Sequence, residues 1–304
     1  MAGKLLLEST ESKLTIVVPV HNMQERMSHL RSWLAQAEEL RVKVILVHDK
    51  SDDSTNIELE EIIQSQTGGN ISVLEVAVKS PGLARNAGLE KIQTRWFSFA
   101  DADDFVNVPG LISLLENLEF SGCDLGIGAY SSIDLKCGSE RIQTPPTQNN
   151  KALALHLAQT MGLWRFIFLS ERYKDLRFTS HRMGEDFVFA NQALNIAHRI
   201  ETSSQVVYRY FYGGKLNLTS NKFVMSDMLG IIEIIKKLDS QSEIGKVFRK
   251  FALQKLSISV LKNLSLKHAI TKKILLLSNL ISHPTYLLNF TYSMIRNRKR
   301  SHNE

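Results

Sequence analysis

Three short apolar runs, 14–20, 42–47 and 96–100, each break abruptly into a polar cluster, and segments with helical spacing lie between them. Leu14–Val20 reads LTIVVPV and gives way to His21-Asn22. Residues 42–47 run into Asp49 to Asp53, and 96–100 run into Asp101 to Asp104. A run without polar alternation suits a strand buried on both faces, the usual state in a parallel sheet. Residues 24–40 place Met27, Leu30, Trp33, Leu34 and Ala37 on one stripe, which predicts a helix. A third strand is expected over 71–78, with helices over 57–66 and 83–92. Alternation of this kind implies an α/β fold, a Rossmann-like, mostly parallel sheet with helices on both faces. Ligands in such sheets bind at the carboxyl ends of the strands, where these polar clusters lie.

Further on, the pattern predicts a helix over 111–120, a strand over 124–130 and an exposed loop or hairpin over 131–150, which contains Pro145-Pro146. Helices follow over 151–160 and 184–197, the latter with an acidic first turn, and then a strand over 206–212. From Lys222 the chain turns to Leu, Ile and Lys, and predicts a C-terminal helical appendage. The expected division is a main domain over 1–221 and this appendage over 222–304.

Charge follows the same division. The net charge is +6, yet from Lys236 onward 14 Lys and Arg stand against three acidic residues, leaving the preceding part mildly acidic. Such a tail suits an anionic partner, a membrane surface or nucleic acid. Residues 274–295 carry no charge, but Asn279, His283, Pro284 and Asn289 interrupt them and basic residues flank both ends. That composition suits a segment lying in the membrane interface better than one packed on the main domain, and either better than one crossing the bilayer. Cys123 and Cys137 lack metal or redox spacing and read as free thiols in a reducing cytosol. The first residues carry no secretory-signal pattern, which also points to the cytoplasm.

Asp101-Ala102-Asp103-Asp104 is the acidic corner most suggestive of chemistry. Three carboxylates in four residues raise one another's pKa unless a cation or water screens them. A divalent metal with a preference for oxygen, Mn²⁺ or Mg²⁺, would do so with phosphate oxygens completing its shell. The plain alternative is a solvated turn ahead of the helix at Leu111.

The surrounding motifs favour the first reading. Val18-Pro19-Val20-His21-Asn22, Val47-His48-Asp49-Lys50-Ser51-Asp52-Asp53-Ser54-Thr55, Gly82-Leu83-Ala84-Arg85-Asn86-Ala87-Gly88 and Asp101 to Asp104 occur in order. Together they resemble glycosyltransferase family 2, the inverting enzymes with the A-type glycosyltransferase fold, over residues 13–220. The resemblance implies that Pro19 and the residues after it, His21 among them, line a uridine pocket. It implies that Asp49 reads the base or ribose, that Asp101 touches the donor, and that Asp103 ligates the metal. Arg85-Asn86 would support the donor site. His48 and Lys50 depart from the family pattern, which has Asp and Gly at those places. Asp104 receives no role beyond local charge or capping.

Met183-Gly184-Glu185-Asp186-Phe187 resembles the family's acidic pair at a helix start. An inverting transfer needs one base to take the acceptor proton. Asp186 is the first choice and Glu185 the second, against the alternative that both merely favour a helix N-terminus. Tyr208-Arg209-Tyr210-Phe211-Tyr212, Lys215 and Asn217-Leu218-Thr219 resemble an aromatic-basic segment, in which Arg209 and Lys215 are candidate phosphate contacts. Trp164 is either a sugar platform or a core tryptophan.

No Walker, GxGxxG, GxSxG or HExxH pattern is present, so the chemistries those motifs carry find no support. The expected activity is transfer of a sugar from a nucleotide donor, a UDP-sugar, to a hydroxyl of a glycan. The acceptor is expected on a lipid or lipopolysaccharide at the cytoplasmic face of the inner membrane, and nucleic acid is not expected as a partner. The alternatives are a non-catalytic scaffold and a sugar-phosphate nucleotidyltransferase, which would want a glycine-rich loop where His21 to Arg26 stand.

Overall fold

The computed structural model describes residues 12–23, 27–50, 53–65, 68–147, 149–213 and 224–263. Lys215, the Asn217-Leu218-Thr219 triplet and the 274–295 segment lie outside the described residues.

The first half alternates as its apolar pattern requires. β1 (Leu14–Val20), β2 (Lys43–Asp49), β3 (Ile71–Val76) and β4 (Trp96–Phe99) are separated by α1 (Ser28–Glu39), α2 (Asp53–Gln64) and α3 (Pro81–Leu89). They line up as β3-β2-β1-β4, every neighbouring pair parallel. Ile16, Val17 and Val18 of β1 are all fully buried, because helices cover the sheet on both sides. The stripe on α1 buries Leu30, Trp33, Leu34 and Ala37 as its spacing predicts. Helix α2 begins at Asp53, ahead of the apolar stripe at Leu59 and Ile62. Its first turn therefore gives no periodic signal. Thr55 in that turn is buried and accepts a hydrogen bond from the Met23 amide at 2.8 Å, which locks the exit of β1.

The second half is mixed. β5 (Phe105–Val106), α4 (Val108–Ser121), β6 (Leu125–Asp134), β7 (Glu140–Gln143) and α5 (Asn150–Gln159) are followed by β8 (Phe166–Leu169), α6 (Ser170–Tyr173), α7 (Glu185–Ile196) and β9 (Ile200–Tyr212). β8 slots between β4 and β6, antiparallel to both, and β9 runs parallel to β6. β5 pairs antiparallel with the outer edge of β9. The 131–150 stretch holds a hairpin, since β6 continues to Asp134 and returns through β7 with Ile133 opposite Glu140. β9 starts at Ile200 rather than 206. Its early residues are polar, and backbone pairing to β6, not an apolar face, makes them a strand.

Two hydrophobic clusters flank the sheet. Helices α8 (Met225–Lys237) and α9 (Glu243–Asn263) join one of them. Ile231, Ile232, Ile235, Phe248, Ala252 and Leu256 pack in the same cluster as Leu157 of α5 and Phe187 of α7. Each of the Ile, Leu and Phe side chains contributes roughly 1.5–3 kcal/mol on burial. Among the described residues no helix is long and apolar enough to cross a membrane.

Candidate active site

The carboxyl ends of β1, β2 and β4 gather the polar clusters, as the parallel half dictates. At β1 and β2, Pro19 sits opposite Val47, and the exposed His21 bonds through Nδ1 to the Asp49 carbonyl at 2.5 Å. The Asp49 side chain is buried. Its Oδ1 accepts from the Val78 amide at 2.7 Å, so it caps the end of β3. Lys50 is exposed and takes φ +25° at this corner. With His48 and Glu75 it borders a groove between α2 and β3, floored by Leu59, Val73 and Val76.

Helix α3 delivers the residue at the centre of the site. Ser80 caps it, accepting from the Leu83 amide, and Pro81 opens it. Gly82 allows a close approach, since a Cβ there would lie 2.6 Å from the Thr179 carbonyl. One turn later Arg85 points inward. Its Nη2 donates to Asp101 Oδ1 at 2.6 Å and its Nη1 to Glu185 Oε1 at 2.9 Å. The guanidinium also lies over the Phe178 ring, 5.4 Å from its centroid. Burial works against its charge, but Asp101 and Glu185 outweigh that, and its pKa lies above the ordinary arginine value. Asn86 pairs twice with the Phe178 backbone, at 2.8 and 2.9 Å, and pins the loop that leads to Glu185.

The acidic corner divides its carboxylates. Asp101 is held by Arg85, with a third of its side chain exposed. Asp103 is half-buried, and its carbonyl lies 3.5 Å from His29 Nδ1. Asp104 is fully buried. Its two oxygens accept from Tyr208 Oη at 3.0 Å and from the Phe211 amide at 2.8 Å. The Tyr208 hydroxyl in turn accepts from the Asp101 amide at 3.0 Å. Burial, then the charges of Asp103 and Asp101, push the Asp104 carboxyl well above its usual range. Asp104 therefore has a structural task that the sequence left unassigned: it ties β9 to the corner. Tyr208 was visible only as one tyrosine in an aromatic run.

Glu185 and Asp186 open α7 after Gly184, which adopts φ +81°. Burial raises the Glu185 carboxyl and Arg85 opposes the rise. Asp186 is half-buried and accepts from the Phe187 amide at 2.9 Å. Burial first, then the Glu185 charge, push its pKa up to about 7. That value suits a group that must hold and release a proton near neutrality.

Arg209 is exposed, with its guanidinium over the Phe105 ring on the outer strand pair. Trp164 is only 7% exposed and stacks on Tyr208 at 4.2 Å, behind the acidic corner, so it packs as a core tryptophan. Its neighbour Arg165 is fully buried. It donates to the Thr160 carbonyl and hydroxyl and lies over the Tyr130 ring.

Among the described residues no group of three or more His, Cys, Asp or Glu is arranged to hold a metal by itself. Arg85 and β9 already engage Asp101 and Asp104. An ion at this corner would therefore take no more than one or two carboxylates from the chain, as Mg²⁺ commonly does beside phosphate ligands.

The description Glycosyl transferase family 2 matches residues 15–184. Glycosyltransferase GlyA of Streptococcus pneumoniae is 20% identical over 221 residues, 66% of this chain and 30% of that protein. Succinoglycan biosynthesis protein ExoO of Rhizobium meliloti is 26% identical over 213 residues, 64% of this chain and 60% of that protein. The chain thus spans less than two thirds of the length of either relative. Among solved structures, S. aureus TarS in complex with UDP-GlcNAc superposes with a TM-score of 0.69 at 20% identity, covering 88% of this chain and 79% of that one. That likeness shows the shared α/β fold; in this chain the helices α8 and α9 follow it.

Proposed function

The chain belongs to glycosyltransferase family 2, and from that premise we propose that it moves a sugar from a uridine diphosphate donor to a glycan hydroxyl by inverting single displacement. The observation that carries the reading is the Arg85 bridge. It holds Asp101 of the donor corner and Glu185 of the base turn on one guanidinium, so the two halves of a transfer site face each other.

In this reading His21, Pro19 and Asp49 shape the nucleoside end, and Asp101 orients the donor. Asp103 would hold Mn²⁺ or Mg²⁺, which would offset charge on the leaving diphosphate. Asp186 accepts the proton of the acceptor hydroxyl as that oxygen forms its bond to the anomeric carbon. The bond from that carbon to the diphosphate oxygen breaks in the same step. Glu185 is tied to Arg85 and acts by placing Asp186. Arg209 and Lys215 are assigned to the diphosphate side.

The acceptor is assigned to bacterial surface polysaccharide assembly, as the name of ExoO suggests for that relative. The uncharged 274–295 segment and the Lys and Arg residues on both its sides support a place against anionic lipid at the cytoplasmic face of the inner membrane. Flotation with anionic vesicles tests that placement, and equal flotation after removal of 264–304 would discard it.

The reaction itself is tested by incubating the chain with a panel of UDP-sugars and Mn²⁺ and following the anomeric proton by NMR. The expected outcome is release of UDP with inversion at the anomeric carbon. Retention of configuration would rule out single displacement.

A further inference from the structure

Lys255 lies outside the segment that carries the family match, on a helix that the sequence assigned to an appendage. It nevertheless reaches the base turn. Its ammonium donates to the carbonyl of Gln159, the last residue of α5, and sits 5.9 Å from the centroid of the Phe187 ring. The last carbonyls of a helix lack partners within it and carry its negative pole, so a cation is well placed there. Phe187 follows Asp186 directly, and its amide bonds the Asp186 carboxylate. Lys255 thus clamps the first turn of α7 against the end of α5.

The charges facing Asp186 come from three helices. Glu185 lies beside it on α7, Arg85 comes from α3 and Lys255 from α9. Arg85 is already committed to Asp101 and Glu185. In the loop before α7, His181 is turned to Thr179 and Arg182 pairs with Asp227. Lys255 itself is drawn down by burial and by the nearby Arg165, while the Asp186 charge supports it. Burying an ammonium is unfavourable unless it is compensated, and the Gln159 carbonyl, the Phe187 ring and Asp186 provide that compensation.

We propose that Lys255 is a positioning residue for the acceptor-side base, holding the Asp186 turn and supplying the cation that keeps its carboxylate available. The proposal rests on Asp186 being that base, and it makes α9 part of the active site rather than a support for it.

The test is a ¹³C NMR titration of the Asp186 side-chain carboxyl in the full chain, with Asp186→Asn used to assign the signal. Wild type is compared with Lys255→Met, Lys255→Gln and Lys255→Arg. The Met and Gln variants are expected to titrate higher than wild type, because an attractive charge is gone. The Arg variant is expected to return to the wild-type midpoint. A merely structural role for Lys255 would not produce that charge-dependent pattern. An unchanged or lowered midpoint in whichever neutral variant folds would overturn the proposal. The base assignment fails separately, if Asp186→Asn transfers sugar at the wild-type rate.

Discussion

Asp101 to Asp104 and Glu185-Asp186 sit on opposite sides of one guanidinium, and both clusters divide their acids in the same way. In the corner, Asp104 is committed to Tyr208 and Phe211. In the base turn, Glu185 is committed to Arg85. Asp103 and Asp186 are the half-buried members beside them. The clusters differ in what holds them. The corner hangs from a strand end in the parallel half and is tied to β9, whereas the base turn is packed among α3, α8 and α9. The difference teaches that adjacent acids with nearly the same chemistry take on separate tasks through the backbone donors and cations brought to each.

The largest effect is expected at the half-buried acid of the base turn. Asp186→Asn is expected to lower transfer by about 10²–10⁴-fold, the scale of a lost general base. Removing Arg85, which both clusters share, comes next. Arg85→Met leaves Glu185 buried without its cation and is expected to cost about 3–5 kcal/mol, read as a lowered urea midpoint. Within the corner the two aspartates should separate. Asp104→Ala strands the Tyr208 hydroxyl and the Phe211 amide and should cost about 1–3 kcal/mol, more than Asp103→Ala, whose side chain is only half-buried. Equal losses would erase the proposed division.

The last test concerns pH. Asp186 has a folded pKa of about 7, above an unfolded value of about 3.9. Between those values the native chain keeps a proton that the unfolded chain has released, so this group's contribution to stability falls as pH rises. Asp186→Asn removes the titration. Its melting temperature relative to wild type should therefore be higher at pH 8 than at pH 5, and calorimetric scans at the two pH values check the sign.

Much of the parallel half could be read in advance, because its strands are continuous apolar runs and its motifs stand at their ends. Arg85 was legible as a site residue. Its partner Glu185 lies 100 residues away, and the packing of Gly82 against Thr179 and the hydrogen bonds between Asn86 and Phe178 bring them together. β8 was not legible, since Phe166–Leu169 is four apolar residues that fit a helix or a strand equally well. The helices after 222 were visible from their composition, but their docking onto α5 and α7 was not. A periodic stripe says that a face is buried, not against what. Lys255 escaped notice for the same reason, as one lysine among many on a basic segment.

The central claim is that Asp103 serves the donor and Asp186 the acceptor. Titration calorimetry of UDP into the chain, with and without Mn²⁺, tests it most directly. The prediction is metal-dependent binding in wild type, the same binding in Asp186→Asn, and its loss in Asp103→Ala. Undiminished metal-dependent binding in Asp103→Ala, or its loss in Asp186→Asn, would contradict that division.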